Sequence, residues 1–194
     1  MRQRGFTLIE AVVTLSVLAL LLAVAIPNVT DWMRSTQMRT MAETMQNGLM
    51  KARMEALRRN RSVSFWLVSP GSSTTLDNNC ALSSTSGFWV ISVEDPTSKC
   101  GTDPSPTVSP MIVETYNASG SAVISVAGLA SDGATAASSV SFNGFGQVVT
   151  STSRLAQINI TGSRNMRIEI SSTGSVRMCD RGVAASDARA CSLP

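Results

Sequence analysis

The sequence predicts an α+β protein: a long N-terminal helix, membrane-spanning in its first half, packed against a β-rich, sandwich-like head. Three observations predict it. Residues 6 to 26 form an apolar run that, at about 1.5 Å per residue, would cross roughly 30 Å of hydrocarbon. Met38, Met41, Met45, Leu49, Ala52 and Ala56 then recur at three- and four-residue intervals, the stripe of an amphipathic helix that needs a cover. Beyond Arg61 the hydrophobic period shortens to two and Gly, Pro, Asn and Asp punctuate short runs, the pattern of many short strands.

Taken in order, the chain opens with a short basic leader, residues 1 to 5, in which Arg2 and Arg4 precede Gly5. Positive charge on the short leading side predicts a cytoplasmic start and a single pass through the inner membrane, with the C-terminal head in the periplasm. The expected spanning segment covers residues 6 to 27. Within it stands Glu10, a carboxylate whose cost in an apolar setting calls for a partner or an assembly role. Pro27 closes the run; proline inside a continuing helix removes one backbone bond and predicts a kink rather than a domain boundary.

Residues 28 to 61 continue the helix. Its polar side offers Arg39 with Glu43, Lys51 with Glu55, and Glu55 with Arg59 at i,i+4 spacing, worth a few tenths of a kcal/mol each. Arg58, Arg59 and Arg61 sit where they favour a helix C-terminus.

The head, residues 62 to 194, is expected to hold strands at 62–68, 88–93, 111–116, 122–126, 140–150, 156–160, 165–170 and 175–179. Long loops fill 69–87 and 95–110. Met166, Ile168 and Ile170 alternate with Arg167 and Glu169, and Val176 and Met178 flank Arg177. That alternation predicts a half-buried pair of strands whose charged face is solvated. Cys80, Cys100, Cys179 and Cys191 all fall in the head, and sequence alone allows three pairings. Loops closed by 80 with 100 and by 179 with 191 would tether the long loops and the chain end. With no His anywhere and no close CxxC pair, disulfides in an oxidising compartment suit these residues better than zinc.

The net charge of +3 is unevenly spread. Residues 1 to 61 carry nine basic and four acidic side chains, whereas the head carries seven and nine. Only the stretch from Arg154 onward is locally basic, which excludes a broad nucleic-acid surface. No metal or cofactor motif is present. Without His there is no conventional Ser/His/Asp or Cys/His arrangement, and no GxxxxGK phosphate loop occurs, so a non-enzymatic role is expected.

The segment Arg4-Gly5-Phe6-Thr7-Leu8-Ile9-Glu10, followed by an apolar helix and Pro27, resembles the processing site of type IV pilins and type II secretion pseudopilins. The resemblance implies cleavage after Gly5 by a prepilin peptidase and N-methylation of the new terminus, Phe6. It also implies that Glu10 meets the terminal amine of an adjacent subunit inside the filament. Opposite charges in a dry bundle fix register even where desolvation offsets much of their attraction.

The long helix, the many strands, Phe142-Asn143-Gly144-Phe145-Gly146 and the terminal Gly174-Ser175-Val176-Arg177-Met178-Cys179 are similar to the GspH/FimT group of minor pilins and pseudopilins. That similarity implies a minor subunit that helps initiate or cap a type IV pilus or a type II secretion pseudopilus, with a DNA-binding minor pilin acting in natural transformation and a major pilus subunit as the alternatives. Its implied partners are other major and minor pilins or pseudopilins and an inner-membrane assembly platform. Some FimT-like members bind DNA through a C-terminal Gly-Arg-x-Arg motif. Here Gly174 and Arg177 match it, but Ser175 replaces the first Arg, so DNA contact by Arg177 with Arg164, Arg167 or Arg181 is not favoured.

Overall fold

The computed structural model describes residues 7–71, 74–118, 124–151 and 154–192, except for the side chains of 23–28, 30 and 31. Among the described residues a single helix, α1 (Leu8–Arg59), precedes nine strands: β1 (Val63–Ser69), β2 (Ala81–Leu82), β3 (Phe88–Ser92), β4 (Ile112–Tyr116), β5 (Ser125–Leu129), β6 (Ser139–Phe142), β7 (Gln157–Thr161), β8 (Asn165–Ile170) and β9 (Val176–Asp180). The helix starts at an N-cap, Thr7, whose hydroxyl accepts the Glu10 amide at 3.4 Å. It ends at Asn60, whose left-handed backbone (φ 47°) turns the amide back onto the Ala56 and Leu57 carbonyls. Asn tolerates that conformation better than most residues. The backbone stays helical through position 27, whose side chain lies outside the described set.

The strands form two antiparallel sheets. The first runs β2-β1-β3-β4, with β6 also pairing with β1, and the second runs β5-β7-β8-β9. Helix and sheets enclose one core: Met38, Met45 and Leu49 from α1, Phe65 and Phe142 from the first sheet, and Ile158, Ile160 and Ile168 from the second. Gly48 sits under the Phe65 and Trp89 rings, each 3.0 Å from where a Cβ would stand, so a larger residue there would push the helix off the sheet.

Each sheet's other face is also covered. On the first, Val68, Val90 and Ile112 meet the Cys80–Cys100 disulfide in a second apolar cluster. Those cysteines come from the two long loops, so the bond ties one loop to the other. On the second, the segment after β9 folds back and is pinned by Cys179–Cys191, with Cα atoms 5.0 Å apart.

The membrane expectation is corrected. Among the described residues no helix is long and apolar enough to cross a membrane, which overturns the spanning segment at 6–27 and the single-pass inner-membrane placement that followed from it. The helix that holds the apolar run continues without a break into the half packed on the head. It also carries Glu10, Thr14 and Ser16, the last two with hydroxyls donated to the Ala11 and Val12 carbonyls at 2.9 and 2.8 Å.

Strand boundaries differ in instructive places. The expected strand at 140–150 stops at Phe142, because Asn143 caps a tight turn by accepting the Phe145 and Gln147 amides at 3.0 Å. The short β2 lies inside the stretch expected to be loop, held by pairing with the end of β1. The strand expected at 122–126 starts at Ser125; residues 122 and 123 lie outside the described set.

Candidate functional site

Two regions carry the residues that the sequence singles out. The first is the N-terminal part of α1. From Leu8 to Leu22 every side chain is exposed, including Leu8 at 83% and Leu15 at 64%. The first helical side chain buried by the head is Met38. From Leu8 to Leu22, about 22 Å of helix thus stands bare as a largely apolar arm. Such a surface needs other protein or lipid to cover it.

Glu10 lies one turn into this arm. Thr7 and Glu10 have the spacing of a capping box, and the Thr7 hydroxyl does bond the Glu10 amide. An acid in the first turn also opposes the helix dipole favourably. Glu10 therefore has a local reason to be there, one that the Thr-x-x-Glu spacing announced and that the argument from its apolar surroundings missed. Gly5 and Phe6, the expected cleavage and methylation positions, lie outside the described residues.

The second region is the outer face of β7, β8 and β9. In register, Gln157 faces Glu169 and Asn159 faces Arg167 across β7 and β8, while Arg167 faces Cys179 and Glu169 faces Arg177 across β8 and β9. The period-two pattern holds, and Arg177 is exposed as expected, but the rest of the charged face is not solvated. The disulfide-pinned segment covers it, leaving Arg167 and Glu169 each only 5% exposed.

Burial forces pairing. Glu169 accepts from the Ser192 amide at 2.9 Å, the Ser192 hydroxyl at 2.7 Å and Arg177 Nη2 at 3.1 Å. Arg177 Nη2 also donates to the Ala190 carbonyl at 2.9 Å. Arg167 donates to Asn159 Oδ1 at 2.8 Å, and burial lowers its pKa, with the nearby Arg181 charge acting the same way. Glu169, Cys179 and Cys191 lie close enough to hold a metal, but both sulfurs are spent in the disulfide and supply no thiolate.

The four arginines considered for DNA contact are therefore not one open patch. Arg167 is buried and Arg177 is engaged by Glu169 and the chain beyond β9. Arg164 is exposed, with Asp180 at 4.0 Å, and Arg181 is exposed beside the same segment.

Gly146 and Gly174 have a different role. Both adopt positive φ, at 73° and 82°. A Cβ on Gly174 would collide with the Gly146 carbonyl, and Arg53 Nε from α1 donates to that carbonyl at 2.9 Å. The two glycine turns thus interlock against the helix. Of the expected helical ion pairs, Arg39–Glu43 forms at 2.8 Å and Glu55–Arg59 at 2.7 Å. Lys51 instead reaches Glu114 on β4 at 2.8 Å, tying helix to sheet.

One helix packed on two antiparallel sheets and extended by a bare apolar stretch defines an α+β fold. The chain matches the family described as Type II transport protein GspH over residues 41–174, and the Prokaryotic N-terminal methylation motif over residues 1–26. The first match spans most of the head and the packed part of α1, and the chain belongs to the GspH family.

Two crystal forms of the type IV minor pilin FimU from Pseudomonas aeruginosa (strain PAO1) are similar at 14% identity, with TM-scores of 0.47 and 0.49. The alignments cover 76% and 80% of this chain and 97% of each of theirs. No curated protein matches the chain.

Proposed function

We propose that the protein is a non-catalytic minor subunit of a type IV pilus or type II secretion pseudopilus, joined to its neighbours through the bare half of α1. The observation that carries this reading is the continuous exposure of Leu8 to Leu22 on a chain of the GspH family. Packed among the equivalent helices of other pilins or pseudopilins, that surface would be buried at roughly 25 cal/mol per Å². A prepilin peptidase would act after Gly5, Phe6 would carry the new methylated amine, and Glu10 would meet such an amine on a neighbour. An assembly platform would add the subunit to the filament, where it helps initiate or cap growth.

The test is incorporation. Glu10→Ala should leave the head folded, since Glu10 is exposed and bonds only within its own helix start, yet lower the amount of the subunit recovered in sheared filaments by at least about tenfold, because the unpaired partner charge would stay buried in a dry bundle. Recovery equal to wild type would remove Glu10 from the proposal.

A further inference from the structure

We infer that Cys191 is a thiol-exchange site: a dithiol opens the Cys179–Cys191 bond while Cys80–Cys100 stays closed, and the strap over the second sheet lifts. The two disulfides have unlike surroundings. Cys80 and Cys100 are each 2% exposed and packed among Val68, Val90 and Ile112. Cys179, on β9, is 4% exposed, but Cys191 is only half-buried and lies near the end of a strap, residues 181–192, in which no residue is buried. A segment without buried side chains opens locally at little cost, and thiol exchange follows access to the sulfur.

The face beneath the strap favours opening too. Gln157, opposite Glu169 in register, is fully buried, and neither of its side-chain amide atoms is hydrogen-bonded among the described residues. Burial of such groups costs free energy that hydration returns. Polar bonds also tie the strap down, from Ser192 to Glu169 and from Arg177 to the Ala190 carbonyl, but water can replace them. The covalent bond is what water cannot replace. A cleft of about 270 Å³ beside Cys191 is lined by Arg167 and Arg181 against one acid, Asp180, and excess positive charge favours a thiolate. Glu169, whose carboxylate lies within 4.8 Å of both sulfurs, is offset by Arg177 at 3.1 Å.

In the exchange, one thiolate of the dithiol attacks Cys191 Sγ; the Cys179–Cys191 bond breaks and Cys179 leaves as a thiolate that takes a proton from solvent. The second thiolate then attacks its partner sulfur in the mixed disulfide, and Cys191 leaves and is protonated in turn. The dithiol ends as a disulfide, having given two electrons to this chain.

The experiment treats the full-length oxidised chain in detergent micelles with dithiothreitol, traps free thiols with N-ethylmaleimide over time and assigns them by peptide mass spectrometry. Cys179 and Cys191 should be labelled at least about tenfold faster than Cys80 and Cys100, with the difference lost in denaturant, because access sets the rate. Equal rates in the folded chain, faster opening of Cys80–Cys100, or a difference that persists in denaturant would overturn the inference. With glutathione, which has one thiol, the trapped mixed disulfide should sit on Cys191, and finding it on Cys179 would overturn the assignment of the attacked sulfur. After selective reduction, hydrogen exchange at the Ser192 amide should rise at least about tenfold while that of Ile158 and Ile168 stays within about twofold, as for a local opening. Unchanged exchange at Ser192 would mean that the strap does not lift. None of these measurements needs a variant.

Discussion

The two halves of α1 belong to one unbroken helix yet live in opposite environments. From Met38 to Ala56 its inner stripe is fully buried, Met45 and Leu49 both at 0% exposure, while Leu15 and Leu20 in the arm stand at 64% and 70%. Covalent continuity and helical geometry are shared, so the difference lies in what each half has to cover it. The packed half is held by its own chain. The arm is finished only by something outside it. A large apolar side chain on the inner stripe of α1 from Met38 onward is therefore a stability determinant, whereas one between Leu8 and Leu22 packs against nothing in its own head.

The sharpest way to break that contrast is the same substitution in both halves. Leu49→Ala should cost about 2–5 kcal/mol of head stability, the usual range for opening a cavity in a packed core. Leu15→Ala should fall within about 0.5 kcal/mol, like other surface changes, with thermal or denaturant unfolding of the full chain as the measurement. Comparable losses at the two positions would mean that the arm is covered in the isolated subunit.

A somewhat smaller effect tests whether the buried polar face of the second sheet depends on its strap. The Cys179–Cys191 loop has a sequence separation of 12, for which chain entropy predicts about 3 kcal/mol. Replacing both cysteines by Ser should lower stability by that order and speed hydrogen exchange at Ser192, whose amide is held by Glu169. Unchanged exchange there would show that the ionic contacts alone hold the segment.

The smallest effect is acid sensitivity, which should arise in the head. Asp132 is held at about 2 by the Thr135 hydroxyl and by the Ala134 and Thr135 amides. Its folded value lies below its unfolded value near 4. The stabilisation is therefore complete above about pH 4 and is lost as pH falls toward 2. Asp132 is fully exposed, so Asp132→Asn should flatten the acid limb of a stability–pH curve only slightly. A steeper limb in the variant would contradict the assignment.

Much of this arrangement was legible in the residues. The switch from three-to-four spacing to period two near Arg61 located the helix end, and the β8 pattern Met166, Ile168, Ile170 gave that strand and its apolar face. What periodicity could not give was the fate of the opposite face. Alternation says that Arg167 and Glu169 share a side, but it cannot say that a segment more than ten residues later folds over them, because that contact is set by tertiary packing around a disulfide.

Lys51 illustrates the same limit, since its expected local partner Glu55 is taken by Arg58 and Arg59 and its actual partner, Glu114, lies on a distant strand. The capping of Glu10 by Thr7 was readable from spacing alone. The apolar run suggested a membrane span on length, and the described helix did not supply one.

The account rests most on the arm as the surface that joins subunits. A photo-crosslinking residue at position 15, compared with one at position 54 on the exposed outer side of the packed half, reads this directly in sheared filaments. The expected result is efficient crosslinking from position 15 to the N-terminal helices of neighbouring subunits, with much less from position 54. Filaments that contain the subunit but give no crosslink from position 15 would contradict it.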